Sequence, residues 1–465
     1  MPSLLDRRKG FRPQKKKLSQ QALQTAVVGE QQGWQILRLN HDGRGVAKNV
    51  NGKTVFVTNA LPGESVRIRI DQNHSRFDEA TAVEVLKASA QRTEPFCPHY
   101  QSCGGCQLQH LHYAEQMNYK EQVLREQLDH YSALKNVTFS APVSCAQQQQ
   151  GYRRRARLSI PAPNSAAPYL GFRGKGSQRV VAIEQCAVLH PLLNALIKPL
   201  QDLIAHFPKR HTLGHVELQL NEHNEQNTVT IIIRTLKPFL PNERELIEEF
   251  AAQHGCDVIA DYGDSVEVLH AHSAAPLELG YKLKQAQLTF GFNEFVQVNP
   301  FVNQAMIDQA LDWLNLSGNE YVLELFAGFG NFSIPLAQST KAVVAVEVAS
   351  AQVQRGQQNA AANGCRNLEF LQADLSQPFR QFPFGQKPVD VLFLDPPRAG
   401  ALEVVEDLST IQPSRILYVS CNPATLARDI ATMVEQGYSL EKICVMDMFA
   451  HTSHTEAMAL LHRNP

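Results

Sequence analysis

Residues 322–332 read VLELFAGFGNF, an apolar strand that runs directly into a turn containing two glycines. Glycine tolerates tight backbone conformations and lets a ligand approach the backbone closely. Ligands of open α/β sheets bind beyond the carboxyl ends of the strands, and this turn lies at such an end. The stretch lacks the G-x-G-x-x-G pattern of dinucleotide sites, so it does not indicate a pyrophosphate. It predicts an α/β domain with a ligand site at the glycine turn.

A regular alternation of strands and helices surrounds this turn from residue 286 to residue 465. Seven runs are strand-like: YVLELF, AVVAVEV, LEFLQ, VDVLFLD, RILYVS, ICVMDMF and AMALLHR. Helical stretches such as AQVQRGQQNAAANG and PATLARDIATMVEQG lie between most of them. Nearly continuous apolar strands that alternate with helices predict a doubly wound, parallel, seven-stranded Rossmann-like domain.

Acidic residues follow the next two strands of this domain. Glu347 lies nineteen positions after Gly328, where an acid typically hydrogen-bonds ribose hydroxyls. Asp374 follows the third strand and is placed for an adenine edge. A glycine turn with these two acids suits adenosine without phosphates, which favours S-adenosylmethionine over NAD.

The fourth and fifth strands end in residues that suit methyl transfer. The fourth ends in Asp395-Pro396-Pro397-Arg398, an element common in methyltransferases, and the fifth leads to Cys421. A thiolate can add to carbon 6 of uracil and make carbon 5 nucleophilic. We therefore expect Cys421 to face the methyl donor. A buried, inert thiol is the alternative for an isolated cysteine.

The run HTSHTE at 451–456 supplies a base for the end of the same reaction. After methyl transfer a base must take the proton on carbon 5 before the thiol can leave, and Glu456 is our candidate. The thiolate is the reactive form of cysteine, and a helix that begins at Pro423 is expected to lower the pKa of Cys421.

A second group of cysteines precedes this domain. C-x5-C-x2-C with a Gly-Gly turn, plus a distant fourth thiol, suits a structural zinc ion or an iron–sulfur cluster, and the spacing does not decide between them. The four candidate ligands are Cys97, Cys103, Cys106 and Cys186. His99 or His110 is an alternative ligand for one position.

The N-terminal region divides into a basic tail, residues 1–20, and a strand-rich segment, residues 21–88. The tail has seven Lys and Arg in its first seventeen residues, so it suits phosphate contact, with a solvated terminus as the alternative. Short alternating strands separated by turns predict a small β-barrel of OB type. LNHDGRGVAKNVNGKTVFVTNALPGESV, residues 39–66, resembles a TRAM domain, which implies RNA binding.

A strand in the predicted central domain, residues 89–285, mixes basic and aromatic side chains. It contributes Tyr152, Arg153, Arg154, Arg155 and Arg157, and a later segment adds Phe172, Arg173 and Lys175. This combination suits phosphates and unstacked bases of RNA. A solvated basic strand is the alternative.

Five motifs resemble the RNA uracil-5-methyltransferase family: QVN at 297–299, ELFAGFGNFSIPLA, LDPPRAG, SCNPATLARD and HTSHTE. The resemblance implies Cys421 as nucleophile and Glu456 as base. It also implies these cofactor and active-site contacts: Gln297, Phe326, Asn331, Glu347, Asp374 and Asp395. Glu324, Ala327 and Ala450 depart from the residues more usual in the family, outside the named roles.

The stretch CPHYQSCGGCQLQ resembles the cluster motif of ribosomal members of this family, which implies a 4Fe-4S cluster. Together with the barrel it implies 23S rRNA as the RNA partner. Three alternatives remain open: methylation of tRNA, an N-methyltransferase that does not need Cys421, and a non-catalytic RNA-binding protein with a redox-sensing cluster.

The composition, with 43% hydrophobic and 19% charged residues, is typical of a globular protein. No apolar run approaches the length of a membrane span, and the first residues lack the apolar core of a secretory signal. We expect a cytoplasmic protein whose nine cysteines are not disulfide-bonded, with no membrane contact and no obligatory protein partner.

Overall fold

The computed structural model describes residues 33–131, 134, 137–161, 169–207, 212–223, 226–273 and 277–465. The predicted basic tail, residues 1–20, lies outside these ranges. The chain divides into two compact units, Met1–Arg92 and Thr93–Pro465. Within the ranges above, none of the helices combines the length and apolarity that a membrane crossing requires.

The first unit is a six-stranded β structure. Its strands are β1 (Trp34–Gln35), β2 (Arg38–Leu39), β3 (Gly45–Lys48), β4 (Thr54–Thr58), β5 (Ser65–Asn73) and β6 (Phe77–Lys87). β1 pairs with β5 and β2 pairs with β3, at the two edges of the sheet. Because only two residues separate β1 from β2, this one segment joins both edges and closes the sheet into the expected barrel. Alternate residues such as Val55 and Val57 fill its core.

The second unit begins with helix α1 (Tyr113–Leu128) and a mixed seven-stranded sheet. The strands are β7 (Arg155–Ser159), β8 (Gly171–Arg173), β9 (Val180–Ala182), β10 (Leu213–Asn221), β11 (Thr228–Thr235), β12 (Cys256–Asp261) and β13 (Val266–His270). Their order is β13-β12-β11-β10-β7-β8-β9. The accompanying helices are α2 (Pro191–Ala195), α3 (Ile197–Ala205) and α4 (Pro241–His254).

A hairpin of β14 (Leu279–Lys282) and β15 (Gln287–Phe290) leads into the C-terminal sheet. The domain boundary predicted between residues 285 and 286 lies in the turn of this hairpin. The strands that follow are β16 (Tyr321–Leu325), β17 (Ala342–Glu347), β18 (Leu368–Gln372), β19 (Val391–Leu394), β20 (Arg415–Ser420), β21 (Tyr438–Met446) and β22 (Glu456–Arg463). The helices are α5 (Pro300–Leu314), α6 (Ser333–Ala337), α7 (Ser350–Ala362), α8 (Leu402–Glu406), α9 (Leu408–Ile411) and α10 (Pro423–Glu435), with 3-10 turns at Phe379–Gln381 and Pro383–Gln386.

The C-terminal sheet has the order β18-β17-β16-β19-β20-β22-β21. Hydrophobic cores cover both of its faces, and for this reason its central strands are almost entirely apolar. The predicted seven-stranded α/β sheet is confirmed, but it is not wholly parallel, because β22 runs antiparallel to β20 and β21. The loop 447–455 joins β21 to β22 without a crossover helix, so the chain must return in the opposite direction.

Helix α1 packs on this C-terminal sheet although it precedes the other sheet in the chain. It lies against α10 and β21, and Leu124 and Leu128 belong to one of the two cores. The N-terminal part of the second unit is thereby joined to the C-terminal sheet.

Candidate active site

The edge of the C-terminal sheet where β19 and β20 end brings three predicted residues together. Asp395 follows β19, Cys421 follows β20, and Glu456 is the first residue of β22. Continuing the register of the β20–β22 ladder puts Cys421 opposite Glu456. Because β22 is antiparallel to β20, its beginning lies at the same edge as the end of β20. The topology therefore places a thiol between two carboxyl groups.

The surroundings of Cys421 favour the protonated, uncharged form of its thiol. Burial raises the pKa of this thiol, the carboxyl groups of Glu456 and Asp395 raise it further, and Arg398 acts in the opposite direction. The expected lowering of this pKa by a helix N-terminus is therefore wrong, because the pKa of the thiol lies above its usual value. Helix α10 does begin at Pro423, but its N-cap residue Asn422 accepts a hydrogen bond from Ala424 N at 3.1 Å.

Three acidic side chains near this edge are protonated more readily than usual. Burial raises the pKa of Glu456 to about 8, with a further contribution from Asp395. Burial raises the pKa of Asp395 to about 7 and that of Glu324 to about 8. Raised values of this kind suit groups that accept and release a proton near neutral pH.

The residues after Asp395 are tied to the start of α10. Asn422 Nδ2 and Thr425 Oγ1 donate to Arg398 O at 2.9 and 3.3 Å. The Arg398 side chain extends toward the loop 447–455, where its Nη2 lies 3.3 Å from His454 Nδ1. Arg398 thus connects the loop after β19 to the elements that carry Cys421 and Glu456.

The glycine turn after β16 has the strained backbone that its sequence predicts. Gly328 and Gly330 have φ angles of 58° and 109°, and Phe326, which is not a glycine, has a φ of 64°. A non-glycine residue in this left-handed region is uncommon and typical of ligand sites. Glu347, at the end of β17, accepts a hydrogen bond from Gly328 N at 3.1 Å. The predicted ribose acid is therefore fixed to the turn.

The remaining predicted cofactor contacts differ in their surroundings. Asn331 and Asn303 exchange two side-chain hydrogen bonds, at 2.9 and 3.0 Å, and Tyr281 donates to Asn331 Oδ1 at 2.7 Å. Gln297 Oε1, in contrast, is buried with no hydrogen-bond partner among the described residues. Asp374 is exposed and accepts from a backbone N–H two residues later. Gln297 thus offers a vacant acceptor, whereas the Asn331 amide is engaged within the protein.

Comparisons with known proteins identify the family of this chain. A family model described as tRNA (Uracil-5-)-methyltransferase matches residues 112–464, more than half of the chain, and a TRAM domain model matches residues 27–83. The chain belongs to the RNA uracil-5-methyltransferase family. Its N-terminal barrel is a TRAM domain.

Relatives within this family match along most of their length. The protein named 23S rRNA (uracil(1939)-C(5))-methyltransferase RlmD in Vibrio cholerae is 42% identical over 428 residues, 91% of this chain and 94% of the relative. The protein of the same name in Pseudoalteromonas translucida is 39% identical over 458 residues, 97% of this chain and 99% of the relative.

A solved member of the family has the same fold. The Pyrococcus abyssi tRNA (uracil-54, C5)-methyltransferase, in complex with S-adenosyl-L-homocysteine, superposes with a TM-score of 0.70 at 24% identity. The match covers 92% of this chain and 99% of that chain. It confirms the methyltransferase architecture of the C-terminal domain.

The four cysteines of the second predicted site surround one cavity of this RNA uracil-5-methyltransferase. Cys97, Cys103, Cys106 and Cys186 line a space of about 310 Å³. All four are free thiols. Burial raises the pKa of Cys106 to about 12 and that of Cys186 to about 11, and the charges of neighbouring cysteines add to both shifts.

The arrangement of these thiols does not by itself form a metal site. Across the residues that the structure describes, no group of three or more His, Cys, Asp and Glu side chains is arranged to hold a metal ion. His99 is engaged elsewhere, because its Nε2 accepts from Glu184 N at 3.2 Å. Arg153, Arg157 and Arg173 also line the cavity, which makes its walls basic.

Sequence reasoning missed three side chains that contact the loop carrying the HTSHTE motif. Tyr113, Gln116 and Lys120 of α1 reach Asp447 and His451 in that loop. The sequence signal is the i, i+3, i+7 spacing of the three residues on a polar helix, a pattern that is equally typical of a solvated face. In the structure Gln116 and Lys120 are buried.

Proposed function

We propose that this protein methylates carbon 5 of one uridine in 23S rRNA, with Cys421 as nucleophile and Glu456 as base. The observation that carries the proposal is the placement of Cys421 opposite Glu456 across the β20–β22 ladder, with Asp395 on the other side. The choice of 23S rRNA follows the names of the relatives, which cover nearly the whole chain.

Cys421 begins the reaction by releasing its proton to solvent and adding its sulfur to carbon 6 of the uracil. The new bond moves the ring electrons toward oxygen 4, and carbon 5 becomes nucleophilic. Because burial and two carboxyl groups raise the pKa of Cys421, thiolate formation needs compensation. Arg398, which acts in the opposite direction, is the cationic group placed to give it.

S-adenosylmethionine supplies the methyl group that carbon 5 takes up when the sulfonium–methyl bond breaks. Its site is proposed at the glycine turn, where Gly328 and Gly330 have positive φ angles. The buried Gln297 Oε1, which has no hydrogen-bond partner among the described residues, is proposed to accept a hydrogen bond from the same ligand. The full set of proposed contacts is Gln297, Phe326, Asn331, Glu347, Asp374 and Asp395. Glu347 and Asp374 suit the ribose and adenine ends.

Glu456 ends the reaction by taking the proton from carbon 5. The electrons of that C–H bond re-form the double bond between carbons 5 and 6, and the bond between carbon 6 and Cys421 breaks, so the thiolate is released. Glu456 returns its proton to solvent before the next cycle. With a pKa raised to about 8, the protonated and charged forms are both accessible near neutral pH.

We propose that Cys97, Cys103, Cys106 and Cys186 hold a 4Fe-4S cluster. Four partly buried free thiols around one cavity fit a polynuclear cluster. A single zinc ion, which needs all four thiolates at ~2.3 Å from one point, is the alternative occupant. The resemblance of CPHYQSCGGCQLQ to the cluster motif of ribosomal family members favours the cluster. When bound, the cluster would fix the loops of Cys97–Cys106 and Cys186. Anaerobically purified protein should be brown and contain iron and sulfide, whereas a colourless zinc protein would contradict the assignment.

RNA binding is assigned to the TRAM domain and, separately, to the basic wall of the cysteine cavity. Arg153, Arg157 and Arg173, beside Phe172, offer charge for phosphates and a ring for an unstacked base. The target uridine has to leave its stack to reach Cys421, which costs a few kcal/mol. Because the arginines are proposed to contact phosphates, affinity for RNA should fall steeply as the salt concentration rises.

The decisive experiment maps 5-methyluridine by mass spectrometry in 23S rRNA and in tRNA from cells with and without this protein. We expect one 23S rRNA methyluridine to disappear, at the position named for the relatives, uracil 1939. Loss confined to tRNA would overturn the substrate. Complementation with the Cys421→Ala variant is the matched control and should not restore the modification.

A further inference from the structure

Helix α1 presents one polar face to the loop 447–455. Tyr113, Gln116 and Lys120 follow the i, i+3, i+7 spacing, so the three side chains lie on the same side of the helix. That side faces into the protein: Gln116 is 1% exposed and Lys120 is not exposed at all. The loop joins β21 to β22, and the residue that follows it is Glu456.

This face contacts the backbone and the buried groups of the loop, and Gln116 Nε2 also donates to Leu108 O and Leu111 O at 3.1 and 2.9 Å. Lys120 Nζ lies 2.5 Å from Asp447 Oδ1, with both side chains fully buried, and donates to Phe449 O at 3.2 Å. Tyr113 donates to Asp447 Oδ2 at 2.6 Å. Asp447, at the start of the loop, is therefore held by two residues of α1.

The middle of the loop is held at a strained residue. His451 has a φ of 66°, which side-chain-bearing residues adopt only when their surroundings impose it. Its N–H donates to Gln116 Oε1 at 3.1 Å, and its carbonyl accepts from Gln107 N and Leu108 N at 3.0 and 2.9 Å. Gln116 Nε2 also lies 3.2 Å from His451 Nδ1. α1 thus fixes the loop at two points on the way to Glu456.

A buried ion pair is a poor source of stability, because desolvation of both charges offsets their attraction. The attested use of such pairs is to select one arrangement among several. Here the groups whose charges act on Glu456 are Asp395, Lys120, Asp447 and Arg398. Lys120 therefore both anchors the loop and is a cation near the proposed base.

We propose that Lys120 is a positioning residue for the elimination step, holding the loop 447–455 through Asp447 so that Glu456 faces carbon 5 of the uracil bound to Cys421. The inference rests on the function proposed above. It predicts that loss of Lys120 slows proton removal while thiol addition and methyl transfer, which use Cys421 and the glycine turn, continue.

The test uses the full-length holoprotein and a 23S rRNA transcript containing the target uridine, unmodified or with 5-fluorouridine at that position. Lys120→Met removes the charge and keeps the apolar stem. A double variant, in which Lys120→Met is combined with Asp447→Asn, avoids leaving a buried Asp447 carboxylate without its cation. Lys198→Met in α3, which removes a lysine from the exposed pair with Asp202, is the control. Thermal unfolding verifies that each variant is folded.

For both Lys120 variants we expect kcat on the unmodified transcript to fall on the order of 10²-fold, as misplacement of a reacting group by ~1 Å can do. KM should fall together with kcat, so that kcat/KM stays within about threefold, because the slowed step follows methyl transfer. Methylated covalent adduct should accumulate on the unmodified transcript, and the rate of adduct formation with 5-fluorouridine should stay close to that of wild type.

Two results would overturn the inference: unchanged kcat in a folded Lys120 variant, or equal losses of kcat and of 5-fluorouridine adduct formation. The second indicates a general structural role. If the wild-type protein itself forms no adduct with 5-fluorouridine, the proposed function fails, and this outcome is separate from failure of the inference.

Discussion

The Asp395 carboxyl lies close enough to Glu456 to add to the effect of burial and raise the pKa of Glu456 to about 8. Asp395 follows β19 and Glu456 begins β22. These strands lie on either side of β20, which leads to Cys421. A thiol in this position must ionise between two groups that carry negative charge when deprotonated. The reaction therefore depends on the protonation states of these groups. Cys421 must be deprotonated for addition to carbon 6, and Glu456 must be deprotonated to take the proton from carbon 5.

Replacing Cys421 by Ala should abolish methylation of the 23S rRNA transcript, because carbon 5 of uracil is then never activated. The same variant should form no covalent complex with 5-fluorouridine RNA on a denaturing gel. S-adenosylmethionine binding, measured by calorimetry, should be nearly unchanged, since the proposed contacts lie on other strand ends. Methylation by a folded Cys421→Ala protein would favour the N-methyltransferase alternative.

Replacing Glu456 by Gln should separate methyl transfer from elimination. Unmodified RNA should become methylated and remain attached to Cys421, because the proton on carbon 5 has no acceptor. Mass spectrometry of the denatured complex should find protein, RNA and one additional methyl group. Normal turnover by this variant would contradict the role of Glu456 as base.

The pH dependence of adduct formation should move when Glu456 is neutralised. The Glu456 carboxylate helps to raise the pKa of Cys421, after burial. With Gln at position 456 this contribution is gone, so the thiolate should form at lower pH. We expect the rate of 5-fluorouridine adduct formation to rise at lower pH in Glu456→Gln than in wild type. An identical profile would mean that the two groups do not interact.

The sequence predicted the residues of the site more fully than their surroundings. Asp395 and Cys421 could be found because the ends of parallel strands in an α/β sheet converge on one edge. Glu456 begins the antiparallel strand β22 and was indicated by the HTSHTE motif instead. The α1 contacts could not, because Lys120 and Asp447 are 327 positions apart and a lysine on a polar helix looks solvated. The predicted direction of the Cys421 pKa was wrong for a similar reason. Burial and the two carboxyl groups raise this pKa, and both depend on tertiary packing.

Replacing Glu347 by Ala should weaken S-adenosylmethionine binding. The carboxylate has two proposed tasks: it accepts from Gly328 N, which fixes the glycine turn, and it faces the ribose. We expect Kd for S-adenosylmethionine to rise about 10-fold to 100-fold, in line with the loss of one or two charge-assisted hydrogen bonds. Adduct formation with 5-fluorouridine RNA at saturating S-adenosylmethionine should persist. An unchanged Kd would remove Glu347 from the proposed contacts.

Glu456 should also make the protein less stable as pH rises. Its pKa is raised by burial and by Asp395 from an ordinary 4.5 to about 8, so between these values the folded protein keeps a proton that the unfolded chain releases. The contribution of Glu456 to the free energy of unfolding is therefore fully present below about pH 4.5 and is lost as pH rises through about 8. Glu456→Gln removes this loss and should raise the free energy of unfolding by roughly 2–4 kcal/mol at pH 9 but little at pH 5. Urea unfolding at the two pH values tests this, with the exposed Glu403→Gln in α8 as control. A gain at pH 5 equal to that at pH 9 would mean that the substitution acts through packing rather than through the proton.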